Sequence, residues 1–167
     1  MVAAANISTQ AIWQVLATVT DPEVPVLTIL DLGIVRDVKI VDGQVEIIIT
    51  PTYTGCPAMD MISMNIRLAL IEKGYSNIKI TSVLSPAWTT DWMTEAGKQK
   101  LQEYGIAPPN AKHAVCTPDS FQEEEAIQCP LCKSYNTKMV SQFGSTACKS
   151  LYQCNDCKEP FDYFKCH

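Results

Sequence analysis

Histidine, positive charge and long apolar runs are all scarce in this sequence, and each scarcity removes a class of function. Only two histidines, His113 and His167, occur in 167 residues. A cysteine protease or acyltransferase needs an imidazole base beside its thiol, and both histidines lie outside the N-terminal part where a fold capable of catalysis would form. A di-iron carboxylate oxygenase needs helices bearing Glu and Glu-x-x-His, and no such motif is present. No Gly-rich turn of the dinucleotide-binding kind appears either, which argues against a flavin or nicotinamide reductase. Lys and Arg number 13 against 18 Asp and Glu, a net charge of −5, so the clustered cations that grip a phosphate backbone are missing. Apolar residues make up 47%, yet no window approaches the ~18–20 uninterrupted residues of a membrane span. "MVAAANISTQ" lacks the basic region and apolar core of a secretory signal. The expectation is a cytoplasmic protein that binds neither membrane nor nucleic acid.

Cysteine, by contrast, is abundant, at eight residues. In a reducing compartment this argues for metal rather than disulfides. "CPLC" at 129–132 and "CNDC" at 154–157 are two Cys-x-x-Cys pairs with 21 residues between them. Each pair can aim two thiolates at one tetrahedral ion, so Cys129, Cys132, Cys154 and Cys157 are expected to hold a structural zinc. "KSYNTKMVSQFG" and "STACKSLYQ" have the length and β content of ribbon strands. A module of about forty residues buries too little apolar surface to fold alone, so the ion would supply the missing stability. Cys148 and Cys166 fall outside the pairs. The set Cys148, Cys154, Cys157 and Cys166 is an alternative that could hold an iron–sulfur cluster, at the expense of "CPLC". Cys116, His113 and His167 read as bystanders. With only Lys133, Lys138, Lys149, Lys158 and Lys165 as cations, the ribbon suits protein docking or a structural role better than nucleic acid.

Further upstream, Ser8–Val19 reads as a helix with Ser8 as N-cap. Pro22 and Pro25 then hold the chain extended. "LDLGIVRDVKIVDGQVEIIITP" reads as a hairpin turning at Asp42-Gly43, with Val45, Ile47 and Ile49 on one face. From Pro57 to Lys73, Met59, Ile62, Ile66 and Leu70 form a helical stripe. "NIKITSVL" follows as a strand, with Ile78, Ile80 and Leu84 alternating, and Thr94–Gly105 as a short helix. The order α-β-β-α-β-α predicts an α+β fold with helices on one face of a small mixed sheet, followed by a small all-β ribbon. The expected divisions are 1–105, a linker over 106–125 containing a solvated "EEE" run, and 126–167. No internal repeat stands out.

Cys56, in "TYTGCPAMD", sits between a strand and a helix, where turn amides and the helix dipole favour a thiolate. One thiolate makes no closed metal site. It suits transient or shared coordination completed by a partner or a second copy of the chain, while a buried cap residue without chemistry is the alternative. Asp21, Glu23 and Asp31 read either as turn chemistry or as carboxylates supporting a metal or partner near that turn. Trp88 and Trp92 read either as packing or as an aromatic docking surface.

"DPEVPVLTILDLGIVRDV" followed by "ITPTYTGCPAMDMI" resembles the SufT-like domain family, linked to iron–sulfur and metal-centre maturation. Its Asp-Pro-Glu segment and Thr…Cys-Pro turn are matched at Asp21, Pro22, Glu23, Thr54, Cys56 and Pro57. "SPAWTTDWMTEAGKQKLQEYGIAPP" and "FGSTACKSLYQCNDCKEPFDYFKC" extend the likeness over nearly the whole chain, to the D-subunit family of the bacterial phenylacetyl-CoA epoxidase system. That resemblance implies a place in aerobic phenylacetate degradation, beside a di-iron oxygenase and a reductase carrying a [2Fe-2S] cluster. It implies an accessory rather than a catalytic role, with Cys56 as ligand to transient iron or an iron–sulfur cluster and Asp21, Glu23, Asp31 and Thr54 in support. A non-catalytic structural or regulatory component, docking on the oxygenase through its ribbon and Trp88/Trp92, is the alternative. A ribbon that binds nucleic acid is a third, more remote one.

Overall fold

Ser8 starts the first helix, its Oγ accepting the Ala11 N–H at 3.2 Å. This helix, α1 (Thr9–Leu16), buries Ile12, Val15 and Leu16. It stops short of the predicted Val19 because the Val19 carbonyl accepts the Ile29 N–H, and Thr20 pairs antiparallel with Thr28. The computed structural model describes residues 8–109 and 126–165, which divide into two units, Met1–Trp88 and Thr89–His167.

In the first unit, Gly33, at φ +67°, closes a turn in which the Gly33 N–H donates to the Leu30 carbonyl. Strand β1 (Val35–Val41) therefore begins at Val35 and not at Leu30. It pairs antiparallel with β2 (Gln44–Ile49) across Asp42 and Gly43, at φ +49° and +78°. Both are left-handed, as the type I′ turn expected there requires. Helix α2 (Ala58–Glu72) then crosses over to β3 (Ile78–Ser82), which pairs parallel with β2. The sheet order is β1-β2-β3.

Central β2 buries Val45, Ile47 and Ile49, and α2 buries Ile62, Ile66 and Leu70. Ile66→Ala should cost about 2–5 kcal/mol, read as a lower denaturant midpoint at an unchanged m-value. Leu84 departs from the predicted alternation. β3 ends at Ser82, and Leu84 lies beyond it with 57% of its surface exposed.

In the second unit Thr94 caps α3 (Glu95–Tyr104), its Oγ1 accepting the Gly97 N–H at 2.9 Å, and Gly105 ends it in the left-handed region at φ +90°. The next two residues, Ile106 and Ala107, are apolar and buried. They form β4, parallel to β7 (Pro160–Phe164), in a sheet ordered β4-β7-β6-β5 with β6 (Lys149–Cys154) and β5 (Thr137–Ser141). α3 and β4 thus fall within the second unit, whereas the sequence pattern divides the chain after residue 105. The rest of the expected linker from residue 110, including His113, Cys116 and the "EEE" run, lies outside the described residues, as do Cys166 and His167. Tyr152 stacks on Phe161 with centroids 5.9 Å apart and meets Tyr163 edge-on at 5.7 Å. Ala107, Ile127, Cys129 and Cys154 complete this small core. Among the described residues no helix is long and apolar enough to cross a membrane.

Candidate functional site

The ribbon sulfurs come together as their spacing predicts. The Sγ atoms of Cys129, Cys132, Cys154 and Cys157 all lie within 4.8 Å of one another. Cys129–Cys157 is 3.8 Å and Cys132–Cys154 is 3.5 Å, each contact joining the two pairs. A tetrahedral ion with metal–sulfur bonds of about 2.3 Å holds its sulfurs about 3.8 Å apart, so the donor set fits one such ion. This is a metal-binding site. Cys148 is not part of it. It is buried, with Sγ 3.1 Å from Thr146 Oγ1 and its carbonyl accepting the Lys165 N–H. Since Cys154 and Cys157 face the "CPLC" pair, the alternative cluster set built on Cys148 and Cys166 finds no support.

Two copies of one hexapeptide build the site, a repeat too short to stand out by composition: Gln128-Cys-Pro-Leu-Cys-Lys133 and Gln153-Cys-Asn-Asp-Cys-Lys158. In each, the first cysteine's N–H donates across the turn, Cys129 to Ser134 at 2.8 Å and Cys154 to Glu159 at 3.0 Å. In each, the glutamine Nε2 donates to the closing lysine's carbonyl at 3.1 Å. Lys133 and Lys158 both adopt a left-handed backbone, at φ +66° and +67°, a conformation that favours glycine. Lysine serves there because its ammonium folds back onto a carbonyl of its own turn, Lys133 onto Pro130 at 2.7 Å and Lys158 onto Asn155.

The two turns are fastened together by a polar bridge. Asp156 accepts from Ser134 Oγ at 2.5 Å and Asn136 Nδ2 at 2.8 Å. Asn155 donates to Asn136 through its backbone N–H at 2.8 Å and its side chain at 3.0 Å. Hydrogen bonds from Ser134 and then Asn136 hold the Asp156 carboxyl below the usual range.

Electrostatics drive the thiols of Cys154 and Cys157 apart. Cys154 is pulled down to about 7, first by the Cys157 amide and then by the Asp156 amide and neighbouring thiols, against burial. Cys157 is aided by the Glu159 amide, but burial and the sulfurs of Cys132, Cys154 and Cys129 push it up to about 12. The Cys154 thiolate therefore forms readily, whereas that of Cys157 is resisted until a cation compensates the crowded charge.

In the first unit, Tyr53 to Cys56 form a β-turn in which the Cys56 N–H donates to the Tyr53 carbonyl at 3.3 Å. Gly55, at φ +81°, takes the third position, and no heavy atom lies within 4 Å of where its Cβ would be. The turn thus needs this glycine for its backbone conformation. Cys56 is half-buried and Thr54 exposed. Pro57 follows as the N-cap of α2, with Asp60 in the first turn.

The carboxylates have structural work. Asp21 Oδ1 accepts the N–H groups of Glu23 and Val24 at 2.8 and 2.7 Å. Asp31 Oδ2 accepts the Thr28 N–H and hydroxyl, both at 2.9 Å. Both aspartates are buried, and Glu23 is half-buried. Asp31→Ala should cost about 2 kcal/mol, typical of hydrogen bonds to a charged group, seen as a fall in thermal midpoint. Among the described residues the ribbon cysteines alone gather three or more His, Cys, Asp or Glu ligand atoms, so Cys56 and these acids form no such set.

Trp88 does not present a docking surface. It is 4% exposed, and its Nε1 donates to the Leu32 carbonyl at 2.8 Å. Packing won because the indole N–H found a buried acceptor. Trp92, at the end of a short 3-10 turn over Thr90–Trp92, keeps partial exposure. Thr50 has no signal in the sequence pattern. It directly follows β2, is 1% exposed, and its Oγ1 has no hydrogen-bond partner among the described residues. An unmet buried hydroxyl costs about 1–3 kcal/mol, so Thr50→Val should raise the denaturant midpoint. A lower midpoint would show that the hydroxyl is satisfied.

An α+β unit with a cysteine turn is thus carried with a ribbon whose four cysteines form a metal-binding site. Residues 9–75 match the family described as iron-sulfur cluster assembly protein, and residues 114–165 match the PaaD zinc beta ribbon domain. The chain belongs to the D-subunit family of the phenylacetyl-CoA epoxidase system. It is 48% identical over 157 residues to the Escherichia coli K12 protein named as the putative D-subunit of 1,2-phenylacetyl-CoA epoxidase, covering 93% of this chain and 91% of that one. An Fe-S protein maturation auxiliary factor of Porphyromonas gingivalis is 37% identical over 92 residues, 54% of this chain and 87% of its own. The crystal structure of a domain of unknown function, DUF59, from Bacillus anthracis matches 55% of this chain and 89% of its own, with 27% identity and a TM-score of 0.52.

Proposed function

We propose that the protein is a non-catalytic maturation factor of the phenylacetyl-CoA epoxidase system, which helps assemble iron or an iron–sulfur cluster in a partner, the [2Fe-2S] reductase component. The observation that carries this reading is Cys56. It is half-buried in a glycine-dependent turn at the start of α2, with no set of ligands among the described residues that would close a permanent site around it, inside a domain that matches the iron–sulfur assembly family. Cargo iron would be held by the Cys56 thiolate and passed on by ligand exchange. An acceptor thiolate replaces Cys56 at the iron, with no change of oxidation state. Asp21 and Asp31 contribute by holding the loop that precedes β1; Glu23 and Thr54 remain as candidate polar contacts to the cargo.

The ribbon holds zinc in this reading and orients the partner. Its lysines support protein docking over nucleic acid. Lys149 and Lys165 are buried, Lys149 Nζ lying 3.4 Å from Asp162 and Lys165 donating to the Gln142 carbonyl, while Lys133 and Lys158 are folded onto their own turns. The setting would be the cytoplasm, where the thiols stay reduced.

Producing the reductase with and without this protein, under iron limitation, tests the proposal by cluster content per reductase chain. Reductase that loads equally in both would end it. A second reading, an adaptor that docks on the oxygenase, is favoured by the exposed Leu131, Tyr135, Met139, Val140 and Phe143 of the ribbon unit. Stoichiometric co-purification with active oxygenase, indifferent to Cys56, would select it.

A further inference from the structure

Helix α2 carries two apolar faces. One, through Ile62, Ile66 and Leu70, is buried. The other runs through Met61, Met64, Leu68 and Ile71, which are 54%, 55%, 51% and 56% exposed. Their spacing of three, four and three residues is the a-d-a-d seam of a coiled coil, on the side of the helix opposite the buried stripe. A solvent-facing helix surface ordinarily carries polar residues there, and an apolar seam of this regularity marks an interface.

The residues beside the seam say what covers it. Assigning Met61 and Leu68 to a, and Met64 and Ile71 to d, puts Asp60 and Arg67 at g and Asn65 and Glu72 at e. In a parallel pair of such helices, g of one chain meets the following e of the other, so Arg67 faces Glu72 of the second copy, twice by symmetry. Both side chains are exposed. Arg67 Nη1 donates to the Ile78 carbonyl at 3.0 Å, which leaves the remaining donors of its guanidinium for a carboxylate. An antiparallel pair with the same four layers in contact sets Arg67 against its own copy, and like charges there oppose association.

We infer that the protein forms a parallel, two-fold homodimer through the α2 seam. Four half-exposed side chains of this size leave roughly 100 Å² each, about half of the ~800 Å² per partner of a standard interface. The dimer is accordingly weak and reversible. Parallel pairing brings the two Cys56 turns to the same end of the helix pair, so that two chains can share one cargo. That consequence rests on the function proposed above, whereas the dimer itself does not.

Sedimentation velocity on the full chain, zinc-loaded and free of added iron, tests the pairing independently of Cys56. The wild type should show a concentration-dependent monomer–dimer equilibrium. Leu68→Glu should weaken it at least a hundredfold, and Glu72→Arg about five- to tenfold. Arg67→Glu combined with Glu72→Arg should restore most of the loss, with unchanged far-UV circular dichroism throughout. A wild type that stays monomeric at several hundred micromolar would overturn the dimer and assign the seam to a different protein. Dimers unmoved by Leu68→Glu would place the contact elsewhere, and a charge swap that fails to restore association would refute the parallel register.

Discussion

Stripping the ion from Cys129, Cys132, Cys154 and Cys157 with a strong chelator should unfold the ribbon while leaving the α1–β3 unit folded. The core around the site is small: Ala107, Ile127, Tyr152 and Phe161, with two of the cysteine ligands themselves. Zinc binding to such modules supplies an apparent ~10–16 kcal/mol at neutral pH, far more than a core of that size contributes. Tyr152, stacked on Phe161 and edge-on to Tyr163, offers a direct readout. Its near-UV circular dichroism should collapse on chelation and return with one equivalent of zinc. Cys154→Ala should reproduce the collapse, because it removes a ligand and a core side chain together. A ribbon signal that survives chelation would show that the fold stands without metal.

The second large effect is expected at Cys56, on function and not on stability. The turn is held by backbone bonds, Cys56 N–H to Tyr53 and Met59 N–H to the Cys56 carbonyl, and a half-buried thiol replaced by a hydroxyl leaves both in place. Cys56→Ser should therefore change stability by less than about 1 kcal/mol. A serine hydroxyl is not deprotonated at neutral pH and is a poor replacement for a soft thiolate at iron. Reductase co-produced with the variant should carry at least tenfold less cluster than with the wild type. Full loading would remove Cys56 from the transfer.

What the sequence disclosed followed from local rules. The Asp42-Gly43 turn, the Ser8 cap, the helix after Thr94, the Ile62, Ile66 and Leu70 stripe of α2 and the two Cys-x-x-Cys pairs each depend on residues close together in the chain, and the fold reproduces them. Met59, expected in that stripe, is only half-buried. What stayed hidden depends on partners distant in sequence. β4 is two residues long and exists only because β7 lies beside it. Tyr152 supplies the aromatic surface for Phe161 and Tyr163, a pairing between strands that no local pattern marks. The second apolar face of α2 is masked by the first, since Met61, Met64, Leu68 and Ile71 interleave with Ile62, Ile66 and Leu70 in one hydrophobic run. The Gln-Cys-x-x-Cys-Lys repeat is legible in principle, but its lysines announce a left-handed backbone only once their ammonium groups are seen on the turn carbonyls. For Trp88 a buried acceptor at Leu32 decided between packing and docking, and no pattern of neighbouring residues foretells that.

Metal and acid-labile sulfide analysis of anaerobically purified, cluster-reconstituted protein, wild type beside Cys56→Ser, bears most directly on the central claim. One zinc per chain in both, with iron and sulfide in the wild type alone, is the predicted outcome. Iron and sulfide retained by Cys56→Ser, or absent from the wild type, would contradict it.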